Sequence, residues 1–502
     1  MYLVGIDIGT TSVKGGLFSV AGDRLATACI GYPTQRPQPG WVEQDAQAWL
    51  DAVWSVLDRL FADADADADA GADAGSPTAA RAASWQQVAA VGICSQVNTH
   101  VFVDANGTPL APAMVWQDTR AADEAALLDA QISPAQREAW WKSNMAVGAS
   151  HTLAHMAWMQ RHRPALWART AKVLSPKDFV LHHLTGRWTA DPLSCFDWVD
   201  GRGEAIGALV DLVPGAADRL PPLSAYRAPV GTATHPRLAG SAAVFVTGTM
   251  DAFGGLLGSG ATGPGEGAYV SGTSEIIALI GAGPGGAPGV VSFLPVDGWH
   301  VQAGPTQSGG DTLRWVAELL HQSPEAVLAA AASARRTAGA TDVLFLPHLE
   351  GERAPLWDTH ARGTFLGMTS ATGMPELALA ALEGVACSAR LLFDATQAAA
   401  GERFESLYLG GGGSRSDFWS QLRADVLGIP LKRVACLDTG VVGAAIMGGL
   451  GAEVFASMGE GARRMVQVER VFTPDAALRA RYDRMMGRYV TAYEALKGFY
   501  RA

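Results

Sequence analysis

Apolar positions in this chain follow two rhythms. Short runs of strand-forming residues, Leu3, Val4 and Ile6, then Val13, Leu17 and Phe18, are separated by a turn of small polar residues. Trp49, Leu50, Val53, Trp54, Leu57, Leu60 and Phe61 instead recur at helical spacing. The first rhythm predicts strands and the second an amphipathic helix. The chain therefore opens on a β-hairpin over 3–18, with a third strand at 25–30. A loop marked by Pro33, Pro37, Pro39 and Gly40 leads through Trp41-Val-Glu-Gln-Asp45 into the helix. Further on, buried strands are expected at 88–94 and 101–103, the second before a turn at 104–107. A strand should also run from 113 towards the polar Trp116-Gln-Asp118. Helices are expected at about 120–128, 151–161 and from Ser175, where Pro176 and Asp178 suit the first helical turn. The alternating Ala-Asp segment 62–75 lacks the central Gly and terminal Glu of an EF-hand loop, so it reads as a solvated, mobile loop.

The pattern then repeats. After a strand at 243–246 and a small-residue helix beginning near Asp251, residues 267–280 again read strand, small polar turn, strand. This predicts an internal duplication with two related domains, 1–246 and 247–502, facing each other. The second half continues with strands at 343–347 and 407–409. Helices follow at about 375–399, 414–427, 441–456 and 474–500.

Composition narrows the picture. A chain of 502 residues exceeds one core. Hydrophobic residues make up 48% and charged ones 17%, which fits a folded globular protein. The net charge of −11 argues against nucleic acid or an anionic membrane as partner, but not against phosphate held by backbone N–H groups and a cation. Cys29, Cys94, Cys195, Cys387 and Cys436 are scattered without metal-ligand spacing, as expected for reduced thiols. No apolar run is long enough for a bilayer, and the N-terminus carries no leader pattern, so a cytoplasmic location is expected.

The candidate chemistry sits in the turns. Asp7 ends the first strand beside Gly9-Thr10-Thr11, where backbone N–H groups can cradle phosphate and the carboxylate can hold Mg²⁺. The alternative is an ordinary polar hairpin turn. Asp251 is either a general base or the N-cap of the helix it precedes. Four glycines at 410–413 are either a plain strand-to-helix turn or a sign of close backbone approach to something.

In order, Gly5-Ile-Asp-Ile-Gly-Thr-Thr11, Trp41-Val-Glu-Gln-Asp45, Trp116-Gln-Asp118, Gly248-Thr-Met-Asp251, Ser271-Gly-Thr-Ser274, Gly351-Glu-Arg-Ala-Pro355, Leu382-Glu-Gly384 and Gly410-Gly-Gly-Gly413 span nearly the whole chain. This ordered set resembles the FGGY family of carbohydrate kinases, and the general plan is most similar to xylulokinases. The resemblance implies an α/β fold of two RNase-H-like, actin-like ATPase domains with a cleft between them. Sugar would lie mainly on the first domain and ATP mainly on the second. It implies ATP and Mg²⁺ as cofactors, a sugar as partner, no nucleic acid or membrane, and leaves a homodimer open. Asp251 takes the position of the catalytic base and Asp7 that of the metal organiser. Gly9, Thr10, Thr11, Gly272 and Thr273 would bind phosphates. Gly411, Gly412 and Ser416, with Gly309 or Gly310, would bind adenosine. Gln96, Asn98, Asp118 and Asp251 would face the sugar.

The sugar side departs from the xylulokinase pattern. Gln96-Val-Asn-Thr99 stands where Gln-Met-His-Gly is usual, so the substrate-binding His becomes Asn98, with His100 two positions on. Ala252 replaces an Asn, and His155 stands where a Lys precedes the Trp at 158. Glycerol kinases carry Arg-Glu where this chain has Val97-Asn98, which disfavours glycerol. The resemblance thus implies a sugar kinase, with D-xylulose phosphorylated on its terminal hydroxyl. Another pentulose or a polyol is the nearest alternative, and an actin-like ATP-binding protein without kinase activity is the alternative of another class.

Overall fold

The computed structural model describes residues 1–69, 84–142, 145–337 and 342–501. The chain divides into two compact units, one of 1–258 with 439–466 and the other of 259–438 with 467–502.

The first unit is built on the opening hairpin. Strands β1 (Tyr2–Ile8), β2 (Ser12–Ser19) and β3 (Arg24–Gly31) pair antiparallel. The strand Val88–Ser95 joins β1 in parallel, and Val244–Val246 and Pro229–Thr232 extend the sheet. Period-two alternation gives β1 two faces. Val4, Ile6 and Ile8 pack with Trp49, Val53, Val56, Leu57 and Leu60 of helix α1 (Ala46–Asp69) in one buried cluster. Each such side chain contributes roughly 1.5–3 kcal/mol on burial. The other face takes helix Thr439–Gly451. Cβ atoms on Gly5 and Gly92 would stand 1.9 and 1.8 Å from the carbonyl oxygens of Val441 and Ala444, so only glycine lets this helix lie flat on the strands.

This packing moves the division away from residue 246. Helix Asp251–Ser259 lies against the same late helix, with Gly254 and Gly443 in close approach, so 247–258 and 439–466 belong to the first unit. The loop expected at 62–75 is in its first part helix, since α1 continues to Asp69. Alanine-rich sequence extends a helix already anchored by its apolar face. The remainder of that segment lies outside the described residues.

The second unit repeats the scheme. Gly267–Ser271 and Glu275–Gly281 form an antiparallel hairpin, His300–Pro305 pairs antiparallel outside it, and Leu407–Gly410 pairs in parallel with Gly267–Ser271. Leu431–Val434 and Val468–Phe472 complete that side. Helix Met374–Ala400 supplies the core through Ala378, Leu379, Leu382, Val385 and Ala386. It starts where Glu376 accepts the Gly373 N–H at 2.9 Å and stops at Gly401 in the left-handed conformation.

Candidate active site

In the first unit two carboxylates leave the same end of the sheet. Asp7 pairs with Cys94 on the parallel neighbour, and Thr249–Met250 pairs with Cys94 and Ser95 from the other side. Asp251 follows directly and opens helix Asp251–Ser259, its Oδ1 accepting the Ala252 N–H at 2.7 Å. This contact is to the adjacent residue within the first helical turn, not to the N2 or N3 group that an N-cap serves. It does not hold the proton affinity down. Desolvation, and then the charge of Asp7, push the Asp251 carboxyl up to about 7. The Cys94 thiol is pushed up by burial and by both carboxylates, which makes it an inert wall of the site.

The turn between β1 and β2 is fixed from three sides. Tyr32 donates its hydroxyl to the Gly9 carbonyl and its N–H to Thr11 O at 3.2 Å. Gln44 donates to Thr10 O at 2.7 Å, and the Trp116 indole donates to Thr10 Oγ1 at 3.0 Å. Gly9 N–H closes the turn onto Ser12 O at 3.0 Å. A Cβ on Gly9 would meet nothing closer than 3.5 Å, so internal packing does not require the glycine. The phenol of Tyr32 is pushed up by burial, then by Asp7 and Asp251, which places its hydroxyl in their field.

Of the sugar-side residues, Gln96 is buried, its Nε2 donating to Gln44 Oε1 at 2.9 Å. Asn98 adopts φ 51°, which turns the loop sharply. Asp118 is engaged differently from a ligand group. Its oxygens accept the Val42 N–H at 2.6 Å, the Arg120 N–H at 2.8 Å and the Arg120 guanidinium. That guanidinium also meets Glu43 at 2.8 Å and lies 3.6 Å above the Trp41 ring. Asp118 thus holds the Trp41 loop, with its lone pairs taken inside the fold. His100 and His155 are buried and joined Nδ1 to Nδ1 at 2.9 Å.

The second unit gathers its own turn. Gly272 N–H closes onto Ser274 O at 2.9 Å, as Gly9 does onto Ser12. A Cβ on Gly272 would have nothing closer than 3.7 Å. Gly310 N–H donates to Gly272 O at 2.9 Å and Asp311 N–H to Thr273 O at 3.2 Å, so Gly309-Gly310 docks on this turn. Two of the glycines at 410–413 are explained by the protein itself. Cβ atoms on Gly411 and Gly413 would each stand 2.2 Å from Ser271, whereas Gly412 faces open space. Ser416 is the N-cap of helix Asp417–Leu427, its hydroxyl accepting the Trp419 N–H at 3.3 Å.

The sequence does not reveal Gln44 or Arg423. Fully buried Arg423 donates to Ser271 Oγ at 2.8 Å, Glu275 Oε1 at 3.0 Å and Gly413 O at 3.0 Å, tying the Gly272 turn to the Gly411 turn. Its signal is only the Glu one residue past Ser271-Gly-Thr-Ser274, lying 148 positions away.

Comparison with known proteins decides the family. Models of the N-terminal and C-terminal domains of the FGGY family of carbohydrate kinases match residues 2–194 and 267–452. The chain belongs to the FGGY carbohydrate kinases. Among its FGGY relatives, a xylulose kinase of Escherichia coli strain K12 is 31% identical, covering 98% of this chain and 99% of that protein. A glycerol kinase of Gloeobacter violaceus is 29% identical over 89% of this chain and 88% of its own length. The crystal structure of a xyloylose kinase from Brucella ovis superposes with a TM-score of 0.86 at 27% identity, covering 99% of this chain and 100% of that one. The protein is accordingly an enzyme of sugar-kinase type with the actin-like ATPase fold, and FGGY membership brings ATP as phosphoryl donor. No helix among the described residues is long and apolar enough to cross a membrane.

Proposed function

We propose that the enzyme phosphorylates a ketopentose with ATP, D-xylulose to D-xylulose 5-phosphate being the best-supported reaction. The observation that carries it is Asp251, a carboxyl raised to about 7 beside Asp7 at the opening of a helix. A base of that affinity can take the proton from a sugar hydroxyl as it attacks, near neutral pH. The xylulose kinase relative of nearly full coverage supports the choice of sugar.

The two open glycine turns, Gly9-Thr10-Thr11 and Gly272-Thr273, supply N–H and hydroxyl donors for phosphate oxygens. Thr10 Oγ1 accepts from Trp116, so its own proton is left to donate. Gly412 has room for the nucleoside. Mg²⁺ fits at Asp7, whose oxygens are the hard donors this cation takes. A single carboxylate leaves room for phosphate oxygens and waters. Among the described residues no three His, Cys, Asp or Glu side chains gather into a metal site of their own. When bound, the ion would offset charge on the transferring phosphoryl group. A cytoplasmic setting follows from the use of ATP.

The test is ATP consumption measured across D-xylulose, other pentuloses, polyols, hexuloses and glycerol. D-xylulose should give the highest kcat/KM. A faster polyol or hexulose would replace the substrate, and ATP turnover that no sugar stimulates would remove the reading.

A further inference from the structure

Two hydrogen-bond chains in the first unit end on buried acceptors that nothing in the described protein fills. The first starts at Asp197. Its carboxylate accepts the Thr152 N–H at 2.5 Å and the Thr152 hydroxyl at 3.2 Å. With that proton committed, Thr152 Oγ1 can only accept from His100, so His100 Nε2, 3.0 Å away, carries the hydrogen. A neutral His100 then offers Nδ1 as an acceptor, and His155 Nδ1 must donate across the 2.9 Å contact. Both rings are buried, and desolvation holds each at about 3, so neither carries a second proton near neutrality. The chain thus ends on His155 Nε2 as a bare lone pair, fully buried and without a partner among the described residues.

The second chain starts at Trp49, whose indole N–H can only donate. It meets Gln44 Oε1 at 3.0 Å, which turns the Gln44 amide so that Nε2 donates to Thr10 O and Thr34 Oγ1. Gln96 must then present Nε2 to Gln44 Oε1, and its own Oε1 points away, buried and unpartnered among the described residues. Between the two ends along the sequence lies Asn98, held at φ 51°, whose Oδ1 is likewise buried without a partner. A buried acceptor left without a donor is unfavourable, so such atoms signal a ligand that brings donors.

We infer that His155 is a specificity-determining residue of the sugar site, its tautomer set by the Asp197–Thr152–His100 chain so that Nε2 accepts a substrate hydroxyl. Gln96 Oε1 and Asn98 Oδ1 are acceptors of the same sense. The set selects a neutral ligand rich in hydroxyl donors, a ketose or polyol, and disfavours a carboxylate or ether oxygen against these atoms. This rests on the proposed sugar-kinase site but concerns only how the sugar is read.

The test uses the full chain without ATP. Nitrogen-15 spectra of the histidines should show His155 protonated on Nδ1 and bare on Nε2, with the Nε2 signal moving when D-xylulose or xylitol is added. Calorimetry with the same two probes should show affinity falling about tenfold or more in His155→Leu. Thr152→Val, which removes only the hydroxyl held between Asp197 and His100, should also weaken binding while shifting the His100 and His155 nitrogen signals. His155→Gln, which keeps an acceptor, should recover part of the loss. A protonated Nε2 in the wild type, or unchanged affinity in both His155→Leu and Thr152→Val, overturns the inference. Sugars that bind with these signatures yet are not phosphorylated would remove the proposed reaction and leave the inference standing.

Discussion

Asp251 joins two demands in one carboxyl. Its folded value of about 7 lies above the ordinary 3.8, mainly through desolvation and then through Asp7. In the free enzyme kcat/KM should therefore fall as pH drops through about 7, because the base becomes protonated. Asp251→Asn should lower kcat by about 10²–10⁴-fold with ATP binding retained, measured by steady-state kinetics and nucleotide titration. The linkage to stability has a definite sign. The folded state holds this proton more tightly than the unfolded chain, so the residue costs stability as pH rises from 3.8 through about 7. Asp251→Asn should melt higher than the parent at pH 8, and the difference should vanish near pH 4. A variant that melts lower at pH 8 would mean that the Ala252 contact outweighs the repulsion from Asp7. Arg423 gives the second prediction at this scale. Removing it leaves Glu275 buried without its counter-charge, so Arg423→Leu should cost about 3–5 kcal/mol in denaturant unfolding and raise KM for ATP more than KM for sugar. Arg423→Lys should not restore it, because one ammonium cannot reproduce the fork to Ser271, Glu275 and Gly413.

At the scale of elements, what could be read from sequence follows the range of the interaction. Hairpins at 3–18 and 267–280, helix α1 and helix Met374–Ala400 are written in local periodicity, and all are present. The places of Asp7, Asp251 and the two turns at strand ends were legible because such turns are local features, whereas the local sequence of Asp251 favours an N-cap and its proposed role as base comes only from the family resemblance. Gln44 to Gln96, His100 to His155 and Arg423 to Glu275 were not, since each partner is set by topology rather than spacing. The glycines at 411 and 413 could not be assigned an approaching group from sequence for the same reason. Their signal of close approach is real, but the approaching group is Ser271. The late helix tests this logic. Gly92→Ala puts a methyl 1.8 Å from the Ala444 carbonyl, and neither backbone can yield cheaply. It should cost about 3 kcal/mol or more in urea unfolding. Gly207→Ala meets no atom within 4 Å and should change stability by about 1 kcal/mol or less. Equal effects of the two would show that the helix does not lie flat on the strands.

For the whole molecule the consequence is topological. The first unit is not a contiguous stretch, because 439–466 returns to it after the chain has built the second. Without that segment Gly5 and Gly92 would face solvent, as would Cys94, whose Sγ donates to Gly440 O at 3.4 Å. The strand face beneath them is shaped for a helix and carries few side chains that could close over it. A fragment of residues 1–258 should therefore fail to fold cooperatively. Residues 1–258 joined by a short flexible linker to 439–466 should give a sigmoidal melt and dispersed amide spectra. The joined fragment keeps Asp7, Gln96, Asn98, His155 and Asp251, so it should still bind D-xylulose while lacking the turns at Gly272 and Gly411. If 1–258 alone folds and binds sugar, the late helix is an addition to a core that closes without it. If the joined fragment fails as well, the first unit draws stability from beyond its own residues.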